Sequence, residues 1–251
     1  MKVDILASGS SGNCIALTAG DSTILVDAGI AKTKIEKRLL DVGIMPTNVV
    51  AIFITHAHKD HTKGLPLANK YQIPVYASEG EWKDIQSVNE DLVYFITQES
   101  ILFDYEGYQP WIEIISFDVH HDAYEPKGYV VQTKERKVSV CLDTGKVDDD
   151  MLHAMKKSEV YIIESNHEPR MVEASSYPNS VKARVLSDIG HLSNVQTAAA
   201  LTELIQGKGE QIYLTHLSSN NNLPALAEMT AKRALYQKGF IEKKHYTLEV
   251  I

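Results

Sequence analysis

Short apolar runs punctuated by Gly, Asp and Asn open the chain. Val3–Ala7, Cys14–Thr18 and Thr23–Asp27 predict three strands. Gly20-Asp21 supplies positive-φ turn chemistry, so the second and third strands should form a hairpin. The first two are joined by Ser8-Gly9-Ser10-Ser11-Gly12-Asn13, a stretch of small donors that a tight turn needs. Thr33–Val42 carries Ile35, Leu39 and Leu40 at helical spacing and stops at Gly43, a fitting C′ residue. Val49–Thr55 is a continuous run of β-branched and aromatic residues, the pattern of a fully buried strand.

Further along, the pattern predicts a helix from Lys63 to Tyr71, a strand around Val75 and a helix over Glu81–Ser87. Trp111–Val119, Tyr129–Thr133 and Val138–Asp143 read as strands, Asp148–Ser158 as a helix and Val160–Glu164 as a strand again. Ser193-Asn194-Val195-Gln196 has the form of a capping box and opens an apolar helix to Ile205. Gln211–Thr215 is a predicted strand, and Leu223–Lys238 an amphipathic helix closed by Gly239. Strands then helices, followed by strands then helices, disfavour a strict β/α barrel. The order fits two sheets packed face to face with helices on both outer faces, as one domain over residues 1–251.

Composition narrows the class. With 44% hydrophobic and 23% charged residues the chain is ordinary for a folded soluble protein. No apolar run reaches the roughly 18 residues of a membrane helix. Met1-Lys2-Val3-Asp4 precedes no signal-like stretch, so a cytoplasmic location is expected. Two cysteines, Cys14 and Cys141, are too few for a disulfide scaffold or a thiolate zinc site and read as buried thiols. Net charge is −8. A protein gripping long duplexes by phosphate neutralisation usually carries a basic surface, so an anionic substrate here must be held locally.

The densest chemical signal is His56-Ala57-His58-Lys59-Asp60-His61, placed on a loop directly after the buried strand. Imidazole and carboxylate gathered this tightly suit Zn, Mn or Fe. Further donors stand at later strand ends: His120 and His121, Asp143, and His216. His153 and His245 read as bystanders.

His-x-His-x-Asp-His after a buried strand, then a His, an Asp and a final His at strand ends, resembles the metallo-β-lactamase superfamily, an αββα sandwich with a two-metal site. Leu6–Asn13, Glu164-Ser165-Asn166-His167, Leu186–Asn194, Leu214–Ser218 and Asn221–Pro224 narrow the resemblance to YycJ/WalJ/VicX-like proteins of Gram-positive bacteria. The chain ends soon after its final strand, which reads as a slightly trimmed version of that pattern. The resemblance implies that His56, His58 and His121 hold one ion and Asp60, His61 and His216 a second, with Asp143 bridging. It favours His121 over His120 because His121-Asp122-Ala123 matches the subgroup's triplet.

Two divalent ions about 3.5–4 Å apart lower the pKa of a shared water and clamp a phosphodiester. They would make a local electropositive pocket on an acidic protein. The resemblance implies a 5′-to-3′ DNA exonuclease, with Asp60 and His191 as catalytic groups and His191 as proton donor or phosphate contact. His167 is expected to line the pocket or to support a ligand, and Asn13 to touch substrate or brace the metal loop. Lys182 and Arg184 could lie along a nucleic-acid path at the rim. Alternatives are a cyclic-nucleotide phosphodiesterase, which the acidic charge favours, and a metal-bearing regulatory protein without turnover. The final helix and strand could pack between subunits of a homo-oligomer.

Overall fold

The computed structural model describes residues 1–97, 100–103 and 112–251. A first mixed sheet pairs, in sequence order, Lys2–Ala7 (β1), Cys14–Ala19 (β2), Ser22–Val26 (β3), Val49–Phe53 (β4), Val75–Ala77 (β5) and Val93–Phe95 (β6). Its β1-β2-β3 meander is antiparallel, and β3 through β6 are parallel. The second sheet holds Ser100–Phe103 (β7), Ile112–Asp118 (β8), Lys127–Gln132 (β9), Lys137–Cys141 (β10), Val160–Glu164 (β11), Glu210–Thr215 (β12) and Tyr246–Val250 (β13). Its order is β13-β12-β11-β10-β9-β8-β7, with β10 to β13 parallel and β7 antiparallel to β8. Parallel strands covered on both faces need continuous apolar runs. Val49–Phe53 and Val160–Glu164 are such runs, and every residue of β11 is buried.

The helices are Lys32–Asp41 (α1), Lys59–Thr62 (α2), Pro66–Tyr71 (α3), Asp149–Met155 (α4), Pro169–Ala174 (α5), Asn179–Val185 (α6), Asn194–Leu204 (α7) and Pro224–Gln237 (α8). Local chemistry explains their ends. After α1, Gly43 takes φ 81° and donates to Leu40, while Ile44 donates to Leu39, which satisfies orphan carbonyls of the last turn. At α7 the predicted capping box is present, Ser193 and Gln196 each accepting the other's backbone N–H. The β2–β3 hairpin turns at Gly20, φ 59°, as expected.

The differences have local causes. The metal-ligand motif is not a loop throughout: Lys59–Thr62 forms a helical turn, and the helix expected from Lys63 starts only at Pro66. The helix expected over Glu81–Ser87 is a single 3-10 turn, Glu81–Lys83. Asn69 holds the rest of that segment in an open course, donating to the Ser87 carbonyl and accepting from Asn89 N. The helix after Asp148 stops at Met155, whose carbonyl is taken by the Ser158 hydroxyl, and Lys157 turns left-handed at φ 62°. Trp111, where a strand was expected to begin, lies outside the described residues; that strand is seen from Ile112.

The chain divides into two compact units. The first comprises residues 1–116, 123–127 and 131–135; the second comprises 117–122, 128–130 and 136–251. Leu25, Ile35, Leu39, Ile52, Ile54 and Leu65 belong to the core of the first. Tyr161, Ile163, Leu201, Leu214 and Leu235 belong to the core of the second. Cys14 and Cys141 are buried free thiols, and burial pushes both well above the ordinary thiol range. Among the described residues no helix is long and apolar enough to cross a membrane.

Candidate metal centre

In the first unit, strand β4 delivers Thr55 and His56 into the interior, and α2 follows at once with Asp60 and His61. Beneath them lies Asp27, the residue after β3, wholly buried with φ 61°. Its Oδ1 accepts the Thr55 N–H at 2.9 Å, and its Oδ2 accepts the Thr55 hydroxyl at 3.0 Å. His61 Nδ1 lies 2.7 Å from the same Oδ2. Burial pushes the Asp27 carboxyl up, although His61 and Thr55 pull the other way.

These bonds fix tautomers. A carboxylate facing donors only accepts, so His61 carries its proton on Nδ1 and presents Nε2. The Thr55 hydroxyl gives its proton to Asp27, so its oxygen accepts from His56 Nδ1, 3.0 Å away, and His56 likewise presents Nε2. That Nε2 stands 2.9 Å from His58 Nδ1. Two nitrogens on one tetrahedral ion at bond lengths of about 2.0–2.1 Å sit roughly 3.3 Å apart, so this pair has close to the spacing of shared ligands.

Close backbone packing holds the motif. Asn13 N donates to the Asp60 carbonyl at 2.7 Å, and Ala28 N to the His61 carbonyl at 2.8 Å. Gly29 passes so near that a Cβ there would collide with the Asp60 carbonyl. Glu81, 1% exposed, accepts the Ala57 N–H on Oε2 and the Glu125 N–H on Oε1, each at 2.7 Å. The residue between two candidate ligands is thereby tied to the 123–127 segment.

The second unit repeats the logic. His121 donates from Nδ1 to the Gly190 carbonyl at 2.9 Å, turning Nε2 toward Asp122 (3.2 Å) and Asp143 (3.8 Å). Burial lowers its proton affinity, which favours the neutral ring a metal needs. Asp143 (φ 36°) and His216 (φ 55°) both turn left-handed as their strands end, and His216 Nδ1 lies 2.5 Å from Asp143 Oδ1. Glu164, at the end of β11, is fully buried: Oε1 accepts from His216 Nδ1 at 2.9 Å and from His191 Nδ1 at 2.7 Å. Its Oε2 accepts the N–H groups of Thr144 and Leu192. Burial alone would raise this carboxyl, but His191 and the hydrogen bonds hold it down to about 2. Conversely, Glu164 overcomes the effect of burial on His191 and raises its proton affinity. Asp143, Glu164, His191 and His216 each offer one ligand atom within 4.8 Å of the others.

Each expected site residue can now be placed. His56, His58, Asp60 and His61 lie together in the first unit, and His121, Asp143, His191 and His216 in the second. His120 turns away to Asp148, the N-cap of α4, at 2.6 Å, which leaves His121 as the donor beside Asp143. Asn13 braces the metal motif: its Oδ1 accepts from Gly9, and its amide nitrogen lies 3.1 Å from His61 Nε2. His167 is buried, its Nδ1 has no hydrogen-bond partner among the described residues, and burial lowers its pKa to about 4. On α6 Lys182 donates to the Glu173 carbonyl, whereas Arg184 reaches Asp122 Oδ2 at 2.6 Å, beside His121. His153 is exposed on α4, and His245 accepts from Ile241 N, so both stand as bystanders.

Sequence reasoning passed over Asp27, Glu81 and Glu164 as groups that orient other residues. Two of them left a signal. Ile24-Leu25-Val26-Asp27 and Ile162-Ile163-Glu164 end buried apolar strands on a carboxylate, costly in a dry interior unless donors meet it.

The family model described as "Beta-lactamase superfamily domain" matches residues 22–217. The chain is 37% identical over 243 residues to exodeoxyribonuclease YycJ of Bacillus anthracis, covering 96% of this chain and 91% of that protein. It is 37% identical over 239 residues to exodeoxyribonuclease WalJ of Streptococcus pneumoniae, covering 94% and 88%. Among solved structures, the metallo-β-lactamase fold protein YhfI of Bacillus subtilis matches with a TM-score of 0.73 at 16% identity, over 99% of this chain and 95% of that one. The last likeness is one of fold alone.

Proposed function

Because this chain belongs to the metallo-β-lactamase superfamily, we propose that it is a metal-dependent exodeoxyribonuclease that degrades DNA from a 5′ end. The observation that carries the metal reading is the tethering of four imidazoles. His56, His61, His121 and His216 each have Nδ1 engaged by a polar oxygen, which turns Nε2 outward as a ligand atom. Near full-length similarity to two exodeoxyribonucleases carries the substrate class.

In this reading residues 1–251 act as one domain. His56, His58 and His121 would hold one divalent ion and Asp60, His61 and His216 another, with Asp143 as a further carboxylate ligand. Imidazole and carboxylate donors without thiolate suit Zn, Mn or Fe. Such ions would supply Lewis acidity at the scissile phosphate and would acidify an attacking water. The protein does the rest. Asp60, with its side chain 27% exposed, would accept a proton from the attacking water. His191, held on Glu164 and the more exposed of the two imidazoles bound there, gives a proton to the departing 3′-oxygen as the P–O bond breaks. His167 and Asn13 support this frame from behind. Arg184 and Lys182 line the path of the DNA backbone, and the two buried free thiols suit a reducing cytoplasm.

The test is a panel of substrates offered with Mn or Zn: 5′-phosphorylated duplex, 5′-phosphorylated single strand, cyclic nucleotides and bis-p-nitrophenyl phosphate. Stepwise loss of nucleotides from the 5′ end is expected, abolished by chelator and restored by metal. The net charge of −8 favours a second reading, a small-molecule phosphodiesterase. Turnover of cyclic nucleotides alone would establish that reading instead. Full metal loading without any turnover would mark a regulatory protein and overturn both.

A further inference from the structure

Beside the metal motif lies a surface that the reaction itself does not use. Tyr124 is 59% exposed, three residues along the chain from His121. Lys83 places its ammonium 5.1 Å from the centre of the Tyr124 ring. Neither residue sits on a loose loop. Glu81 joins Ala57 N to Glu125 N, the Ser78 hydroxyl donates to the Glu125 carbonyl at 2.7 Å, and Gly80 N donates to Glu125 Oε2 at 2.8 Å. Lys127 N donates to the Thr55 carbonyl at 2.9 Å, which keeps the 123–127 segment alongside the residue before His56. Gly80 is so close that a Cβ there would lie 2.8 Å from Tyr124 Cβ. The ring is therefore anchored, through backbone bonds, to the motif that carries His56 and His58.

Further rings gather around Trp82, the chain neighbour of Lys83. Trp82 donates its indole N–H to the Tyr94 carbonyl and meets Phe95 edge-on at 6.4 Å. Tyr94 and Phe95 are 45% and 49% exposed on β6, the edge strand of its sheet. Exposed rings on a rigid support, with a cation beside one of them, have the chemistry that holds single-stranded nucleic acid: bases stack on the rings and the ammonium meets a phosphate. Solvated carboxylates alone would offer neither. On an acidic chain, stacking also supplies affinity that surface charge does not.

Resting on the nuclease reading above, we propose that Tyr124 and Lys83, continued by Phe95, form a stacking platform that holds unpaired bases of single-stranded DNA beside the metal motif. A duplex keeps its bases stacked on one another, so the platform acts only on an unpaired end. It is a binding surface, and the chemistry stays with the metal ligands.

The experiment uses the metal-loaded protein and a 5′-phosphorylated oligothymidylate with cleavage-resistant phosphorothioate linkages, carrying one 2-aminopurine near its 5′ end. A fully paired duplex of the same strand serves as the control. On the single strand, Tyr124→Leu, which keeps bulk but removes the π face, should weaken binding by roughly five- to 100-fold. It should also abolish the 2-aminopurine quenching seen with the unaltered protein, whereas Tyr124→Phe should keep both. Lys83→Ala should flatten the salt dependence by about 0.7 in log–log slope, one phosphate contact on a single strand. Unchanged single-strand affinity and quenching in Tyr124→Leu, or an equal loss on the duplex, would overturn the platform. If the unaltered protein neither binds nor cleaves DNA, the nuclease reading itself has failed. DNA cleavage with an indifferent Tyr124→Leu removes the platform alone.

Discussion

Asp27 Oδ2 and His61 Nδ1 stand 2.7 Å apart, and neither side chain is exposed to solvent. Asp27 also takes both the backbone and hydroxyl protons of Thr55, so one carboxylate sets the tautomer of His61 directly and that of His56 through Thr55. The pair therefore controls which nitrogen is offered to metal, although Asp27 itself stays in the layer beneath.

That relationship predicts the effect of Asp27→Asn. The amide oxygen still accepts from Thr55 N, which turns the NH₂ group toward His61 and forces its proton onto Nε2. The ligand atom is lost with the fold intact. Metal affinity should fall by about 10–100-fold, and DNA cleavage with it, until excess metal restores turnover. Titration with Zn or Mn followed by elemental analysis reads this directly. A variant that binds metal like the unaltered protein would show that Asp27 merely fills space.

In the proposed mechanism His191 separates binding from chemistry. Its Nδ1 is committed to Glu164, and its ring stands 5.0 Å from that of His121 and 5.4 Å from that of His216. His191→Ala should leave the metal content unchanged yet lower DNA turnover at least tenfold, in keeping with the roughly 10²–10⁴-fold worth of a placed proton donor. Loss of metal along with activity would instead make His191 a ligand.

Much of this cluster was legible in the chain because its side chains leave rigid strands at short spacing. His56 to His61, Asp143 and His216 all follow apolar runs that could only be buried strands. The choice between His120 and His121 was not legible from spacing, since both follow the same strand; it turns on the N-cap carboxylate Asp148, 28 residues away, which takes His120. The helix expected over Glu81–Ser87 failed for a related reason. Its apolar spacing was adequate, but Glu81 is drawn inward by two backbone donors, and Asn69 holds the following turn open. Tertiary hydrogen bonds of this kind leave no local pattern. The short helices α5 and α6 and the three-residue strand β6 carry too few residues for a periodic signal.

Glu81 offers a stability test distinct from the metal. Its two oxygens serve Ala57 N and Glu125 N in a site 1% exposed. Glu81→Ala removes the acceptor of two part-buried backbone donors, a loss of about 1–3 kcal/mol for the pair because solvent reaches the Glu125 side. Thermal unfolding of chelated protein should show a clear fall in midpoint, while Glu81→Gln, which keeps one acceptor, should lose about half as much. Equal midpoints for Ala and the unaltered residue would mean that water satisfies these groups.

His167 makes the stability depend on pH. Burial lowers its pKa to about 4, with the Glu164 charge opposing and His191 assisting, against 6.5 for the free side chain. Between those values the unfolded chain binds more protons at this position than the folded one, so stability rises with pH there and is lost as pH falls. Below the folded pKa the loss is complete, and at pH 7.5 it is absent because the ring is neutral in both states. At pH 5 the cost is about 2 kcal/mol. Other groups also titrate in this range, so the measurement is a difference. Urea unfolding of the chelated protein is compared at pH 7.5 and pH 5 with that of His167→Gln, whose amide stands in for the neutral ring. The variant should lose about 2 kcal/mol less over this interval than the unaltered protein. Parallel losses would mean that His167 is charged as easily inside the fold as outside it, and that its unpartnered Nδ1 meets solvent.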